Sequence, residues 1–118
     1  MSDGPDAVEL LEPVVRSIIE RLAHGEYEAV VSQAAASRLT ASTIRQIIKE
    51  YGRTLVVPPV GAFTGFDAVR VRGAIQQEWS VRAPLWTSEE GRSDLTVELT
   101  LALSGDMLIF ELDDLHVL

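Results

Sequence analysis

From Trp79 to Leu118 the chain alternates apolar and polar residues almost without a break. Leu95, Val97, Leu99, Leu101 and Leu103 keep one phase, and Asp94, Thr96, Glu98 and Thr100 keep the other. Successive side chains of an extended strand point to opposite faces, so this period specifies antiparallel strands with one dry and one wet face. The dry face must be covered. In the first half the period changes: Val8, Leu11, Val15, Ile18, Ile19 and Leu22 recur at helical spacing and supply an apolar stripe for that task. The pattern predicts an α+β fold, three N-terminal helices packed on a curved antiparallel sheet of about five strands.

The punctuation sets the expected boundaries. A first helix is expected over about 6–24, with Pro13 either kinking it or forcing it to start near Glu12, since an interior proline removes a backbone donor. Gly25 stops it. A second helix is expected over 26–37, with Tyr27, Val30, Val31 and Ala34 on one face. The third is capped by Thr40 or Ser42, carries Ile44, Ile47, Ile48 and Tyr51, and ends at Gly52. Strands are then expected over 54–57, 66–72, 77–87, 93–103 and from Met107 to Asp113 or beyond, with 60–65 a loop. Pro84 within the third of these implies a bulge or an edge.

A length of 118 residues suits one domain, with residues 1–5 a frayed lead-in. Hydrophobic residues at 47% and charged residues at 24% are globular proportions. Cysteine is absent, which excludes disulfides and thiolate metal sites. No apolar run approaches the roughly 20 residues that span a bilayer. The opening Met-Ser-Asp-Gly-Pro-Asp is unlike a signal peptide, so a cytoplasmic protein is expected. Charge is uneven. Residues 1–53 hold eight acids and six bases, and residues 54–118 hold ten acids and four arginines. At a formal net charge of −8, phosphate backbones are repelled, and a cationic partner or simple solubility is the better reading of the charge.

The order of elements, with Gly25-Glu26-Tyr27-Glu28 opening a second helix before a long curved sheet, resembles the nuclear-transport-factor-2-like (cystatin-like) cone. Enzymes of such cones (ketosteroid isomerases, polyketide cyclases, dehydratases) hold an Asp or His in a pocket between helix and sheet. Other members only bind ligands or partners, so this resemblance implies several function classes and selects none. The strings WSVRAPLWTSEEGRSDLTVELTL and FELDDLHVL are similar to an uncharacterised bacterial family, a domain of unknown function that ends in such a tail. That resemblance implies no activity.

Four constellations are candidates. Glu111, Asp113, Asp114 and His116 close the chain; on a regular strand Glu111 and Asp113 would share one face, and Asp114 and His116 the other. An Asp–His pair could serve as a base with its orienting carboxylate or as metal ligands, but without a second histidine cluster or any cysteine a solvated acidic end is the expected reading and no metal or cofactor is expected. The polar strand face carries Ser80, Arg82, Thr96, Glu98, Thr100, Glu111 and Asp113, either stitched by cross-strand pairs or used as a binding surface. The turn around Trp86, Glu89, Glu90, Arg92 and Asp94 places a tryptophan on the polar side, the kind of anchor interfaces use. Residues 34–52 read as a helix-turn-helix whose second helix, with Arg45, would enter a DNA major groove, against the chain's overall charge.

No nucleotide loop or nucleophile elbow is present. The expected function is therefore a small non-catalytic interaction module for a protein partner, basic in character, with self-association through the sheet and an immunity-type neutralising protein as concrete forms. The enzymatic alternative is an acid–base lyase or isomerase acting on a small apolar molecule. It requires a closed apolar pocket in which Tyr27, Tyr51, Asp67 or His116 moves the proton.

Overall fold

The computed structural model describes residues 5–61 and 65–118. Residues 1–4 of the expected lead-in and 62–64 of the expected loop lie outside the described residues, and Pro5 already begins the first helix.

Among the described residues, three helices, α1 (Pro5–Ala23), α2 (Tyr27–Gln33) and α3 (Ala41–Tyr51), pack on a six-stranded sheet whose first strand lies between α2 and α3. Its strands are β1 (Ala36–Ser37), β2 (Leu55–Val56), β3 (Asp67–Arg70), β4 (Glu78–Thr87), β5 (Gly91–Ser104) and β6 (Met107–Val117). They lie in the order β1-β6-β5-β4-β2, with β3 also on β4. The α+β architecture holds, but the sheet is mixed: β1 runs parallel to β6, pairing Ala36 with Glu111 and Ser37 with Leu112.

That strand corrects the second helix, which ends at Gln33 rather than near residue 37. Alanine favours helix, yet the Ala35 and Arg38 amides donate instead to the carbonyls of Phe110 and Leu112, at 2.8 and 2.9 Å. Otherwise unpaired donors and acceptors along β6 outweigh a few tenths of a kcal/mol of propensity per residue. The helix-turn-helix span 34–52 therefore begins with an extended segment, not a helix.

Helix α1 runs through Pro13. The carbonyl deprived of its donor belongs to Glu9, which is exposed and can turn to water. Its end is a Schellman turn: the Glu26 amide reaches back to the Arg21 carbonyl at 2.9 Å, and Gly25 takes φ +76° without the penalty a side chain would carry there. Thr40 caps α3, accepting from the Thr43 amide at 3.0 Å.

Leu11, Val15, Ile18, Ile19 and Leu22 of α1, Val30 of α2 and Ile44 of α3 cover the inner sheet face. Opposite them lie Trp79, Val81, Ala83 and Leu85 of β4, and Leu95, Val97, Leu99 and Leu101 of β5, the last four with no solvent exposure. The dry phase of the sequence is thus the core. Among the described residues no helix is long and apolar enough to cross a membrane.

Pro84 sits within β4, opposite Thr96, beside an irregularity between Pro84 and Trp86. On the other side of β4, β3 stops at Arg82 and β2 starts at Trp86. The proline's missing N–H falls in the gap between these two strands, so no ladder bond is lost.

Candidate functional site

The outer face of the sheet gathers most of the polar candidates, and a bulge in β6 decides how. Glu98 pairs with Asp114 while Leu99 pairs with Leu112, so Asp113 is an extra residue with no partner across the ladder. Below the bulge, Val97 meets Leu115 on the inner face and Thr96 meets His116 on the outer. Above it, Leu101 meets Phe110 inside and Thr100 meets Glu111 outside. Asp113 itself accepts a 2.7 Å bond from the Thr100 hydroxyl. Glu111, Asp113, Asp114 and His116 consequently share one face, correcting the expectation that they divide between two.

Glu98 is the centre of this cluster. His116 Nε2 hydrogen-bonds Glu98 Oε2, Arg82 Nε lies 3.7 Å from the same oxygen, and Asp114 Oδ2 is 3.9 Å from His116 Nε2. The bond to Glu98 holds the His116 pKa above its ordinary 6.5. Partial burial opposes the shift, and the Val117 carbonyl and the nearby carboxylates support it. Around this centre, among the described residues, the outer face carries Asp67, Glu78, Asp94, Glu98, Glu111, Asp113 and Asp114 against the two arginines Arg82 and Arg92. Arg82, Arg92, Asp67 and Asp94 line a crevice of about 100 Å³ with Pro84 and Thr96. Among the described residues no group of three His, Asp or Glu side chains is placed to hold a metal ion.

The turn candidates are placed differently. Glu89 accepts from the Thr54 amide at 2.8 Å and from its hydroxyl at 3.0 Å. The amide bond is the main reason the Glu89 pKa is lowered from 4.5. Glu90 accepts from the Tyr51 hydroxyl at 2.8 Å and the Thr87 hydroxyl at 3.2 Å. Burial first, and the Glu90 bond second, push the Tyr51 pKa above 10. These two glutamates stitch the end of α3 and β2 to the β4–β5 hairpin, a role the sequence reading had missed. Trp86 is half-buried on the outer face, opposite Arg92, its ring against Gly91.

Of the proposed proton-transfer groups, Asp67 and His116 lie on the outer face, Tyr51 is bonded to Glu90, and Tyr27 lies under the Arg45 guanidinium, 5.5 Å from its ring centre. An apolar groove of about 500 Å³ does exist between α1 and the start of β6. Pro13, Val14, Ile18, Leu108 and Phe110 are among its walls, and none of those four groups is.

No curated protein and no solved structure matches the chain. The resemblance of its second half to an uncharacterised family holds over a longer stretch: the family model described as Domain of unknown function (DUF7668) matches residues 19–118, and the chain belongs to that family.

Proposed function

We propose that the chain is a non-catalytic binding module whose acidic sheet face docks a basic protein partner, an immunity-type neutralising protein being one concrete form. The observation that carries this reading is the bulge at Asp113, which turns all four terminal polar residues of β6 onto a face already rich in carboxylates. A surface of one sign steers an oppositely charged partner and disfavours others. Self-association is part of the same reading, and the charge decides its geometry. Two copies stacked face to face would oppose seven carboxylates to seven, so pairing through the sheet would use a strand edge. The cone-like, nuclear-transport-factor-2-like description also stays with this proposal, supported by the order α1-α2-β1-α3 before the remaining antiparallel strands. So does a cytoplasmic setting, supported by the absence of cysteine.

The test compares two variants of equal net charge for binding a fluorescein-labelled arginine–lysine peptide at low and high salt. One neutralises the outer face (Glu98→Gln, Glu111→Gln, Asp113→Asn, Asp114→Asn); the other neutralises helix acids (Glu9→Gln, Glu20→Gln, Glu28→Gln, Glu50→Gln). The face variant alone should lose salt-sensitive binding. Equal weakening by both would reduce the effect to overall charge and refute the docking face.

A further inference from the structure

The outer edge of β3 has chemistry opposite to the sheet face. We propose that this edge accepts an extended, acidic–apolar peptide segment of a partner protein as an added antiparallel strand. The site is the main-chain edge of β3 and not the cluster at Glu98, Glu111, Asp113 and Asp114, so either reading can fail without the other.

The main chain supplies the first argument. The Val71 amide donates to the Glu78 carbonyl at 2.9 Å. In an antiparallel ladder the bonded pairs alternate, so Val69 and Asp67 are likewise bonded to Ser80 and Arg82. The N–H and C=O groups of Ala68 and Arg70 then point away from β4, and among the described residues β3 pairs with no other strand. Such a row of donors and acceptors is a template for strand addition.

The side chains supply the second. Exposed apolar residues concentrate here: Val69 is 65% exposed, Val71 37% and Ile75 fully exposed. Alternating with them, Arg70 and Arg72 form no ion pair among the described residues, although the chain carries 18 acids. Open hollows of about 460 and 420 Å³ flank the edge, one beside Val69 and Ser80, the other under the 70–77 turn.

Together these fix the complement. Residues directly opposite in an antiparallel pair share a face. An added strand therefore needs acids opposite Arg72 and Arg70, apolar residues opposite Val71 and Val69, and a small residue opposite Ala68. A second copy of this chain does not meet that requirement. In the two-fold registers that keep the faces aligned, centred on Ala68, Val69 or Arg70, Arg70 meets Phe66, Ala68 or Arg70 of the other copy, so it faces no carboxylate.

The probe is the peptide fluoresceinyl-Gly-Asp-Val-Glu-Val-Ala-Gly-amide, labelled at its N-terminus and followed by anisotropy at about 0.15 M salt, where the chain's long-range repulsion is damped beyond roughly 8 Å. It should bind at least about tenfold more tightly than a scramble with adjacent acids. It should also bind more tightly than a version N-methylated at Glu, whose amide faces the Arg70 carbonyl. Arg70→Glu should invert the preference toward the peptide with Lys in place of Glu. Arg72→Glu, in the exposed turn, should weaken the parent peptide if Arg70→Glu fails to fold. Equal binding of parent and scramble, indifference to N-methylation, or an unchanged preference in both variants would overturn the proposal. A dimer by sedimentation that Val69→Lys dissolves and the peptide does not would assign the edge to a second copy and overturn it equally.

Discussion

The His116–Glu98 pair makes the outer face sensitive to pH, and its sign follows from the geometry. His116 takes up its proton more readily in the folded chain, because Glu98 accepts its Nε2–H and Asp114 and Glu98 add negative charge. Below the unfolded value near 6.5, the imidazole is charged in both states and the pair's stabilisation is fully present. As pH rises through the raised folded value, the proton leaves and that stabilisation is lost. The side chains are 34% and 26% exposed, so solvent screens the pair, and about 0.5–1 kcal/mol is the appropriate scale. Urea denaturation at pH 5.5 and 8.5 should therefore show the wild type losing that much more stability than His116→Gln over the same interval. Glu98→Gln should abolish the difference, and NMR titration of the imidazole should move back toward 6.5. An imidazole titrating at or below 6.5 in the wild type, or a pH difference that survives Glu98→Gln, would refute the coupling.

Other outcomes follow from the packing and the turns. Leu99 has no solvent exposure and sits at the centre of the sheet, so Leu99→Ala should cost about 2–5 kcal/mol by urea denaturation, with the m-value unchanged. Gly91 has φ +74°, and an added Cβ would lie 3.7 Å from the Trp86 ring; Gly91→Ala should destabilise by about 1 kcal/mol through backbone strain rather than overlap. Glu89 has a lowered pKa, so its contribution is present above the unfolded value near 4.5 and is lost as pH falls through the folded one. Glu89→Gln should flatten the acid limb of the stability profile and speed hydrogen exchange at the Thr54 amide.

Part of the candidate site could have been read more closely from the chain itself. Phe110 and Leu112 keep one phase of the alternation, and Leu115 and Val117 keep the other. A spacing of three between Leu112 and Leu115 cannot fit a regular pleat with both residues inside, and one extra residue between them is a bulge. That phase slip was the available signal for Glu111, Asp113, Asp114 and His116 sharing a face. The roles of Glu89 and Glu90 left no such trace. Their partners Thr54 and Tyr51 stand 35 and 39 residues away, and only docking of the hairpin against the end of α3 brings them together.

Local alternation and helical spacing were enough to determine the α+β class, the buried rows of β4 and β5 and the helix stop at Gly52, because each depends on the residue pattern over a short stretch, whereas the choice of Thr40 over Ser42 as the cap of α3 came from the fold. Tertiary structure alone decided that 36–37 is a parallel edge strand, that Pro84 falls in a gap between neighbours, and that β3 keeps a free edge. Those outcomes turn on which backbone groups elsewhere in the fold remain unpaired, and a one-dimensional pattern carries no record of its distant hydrogen-bond partners.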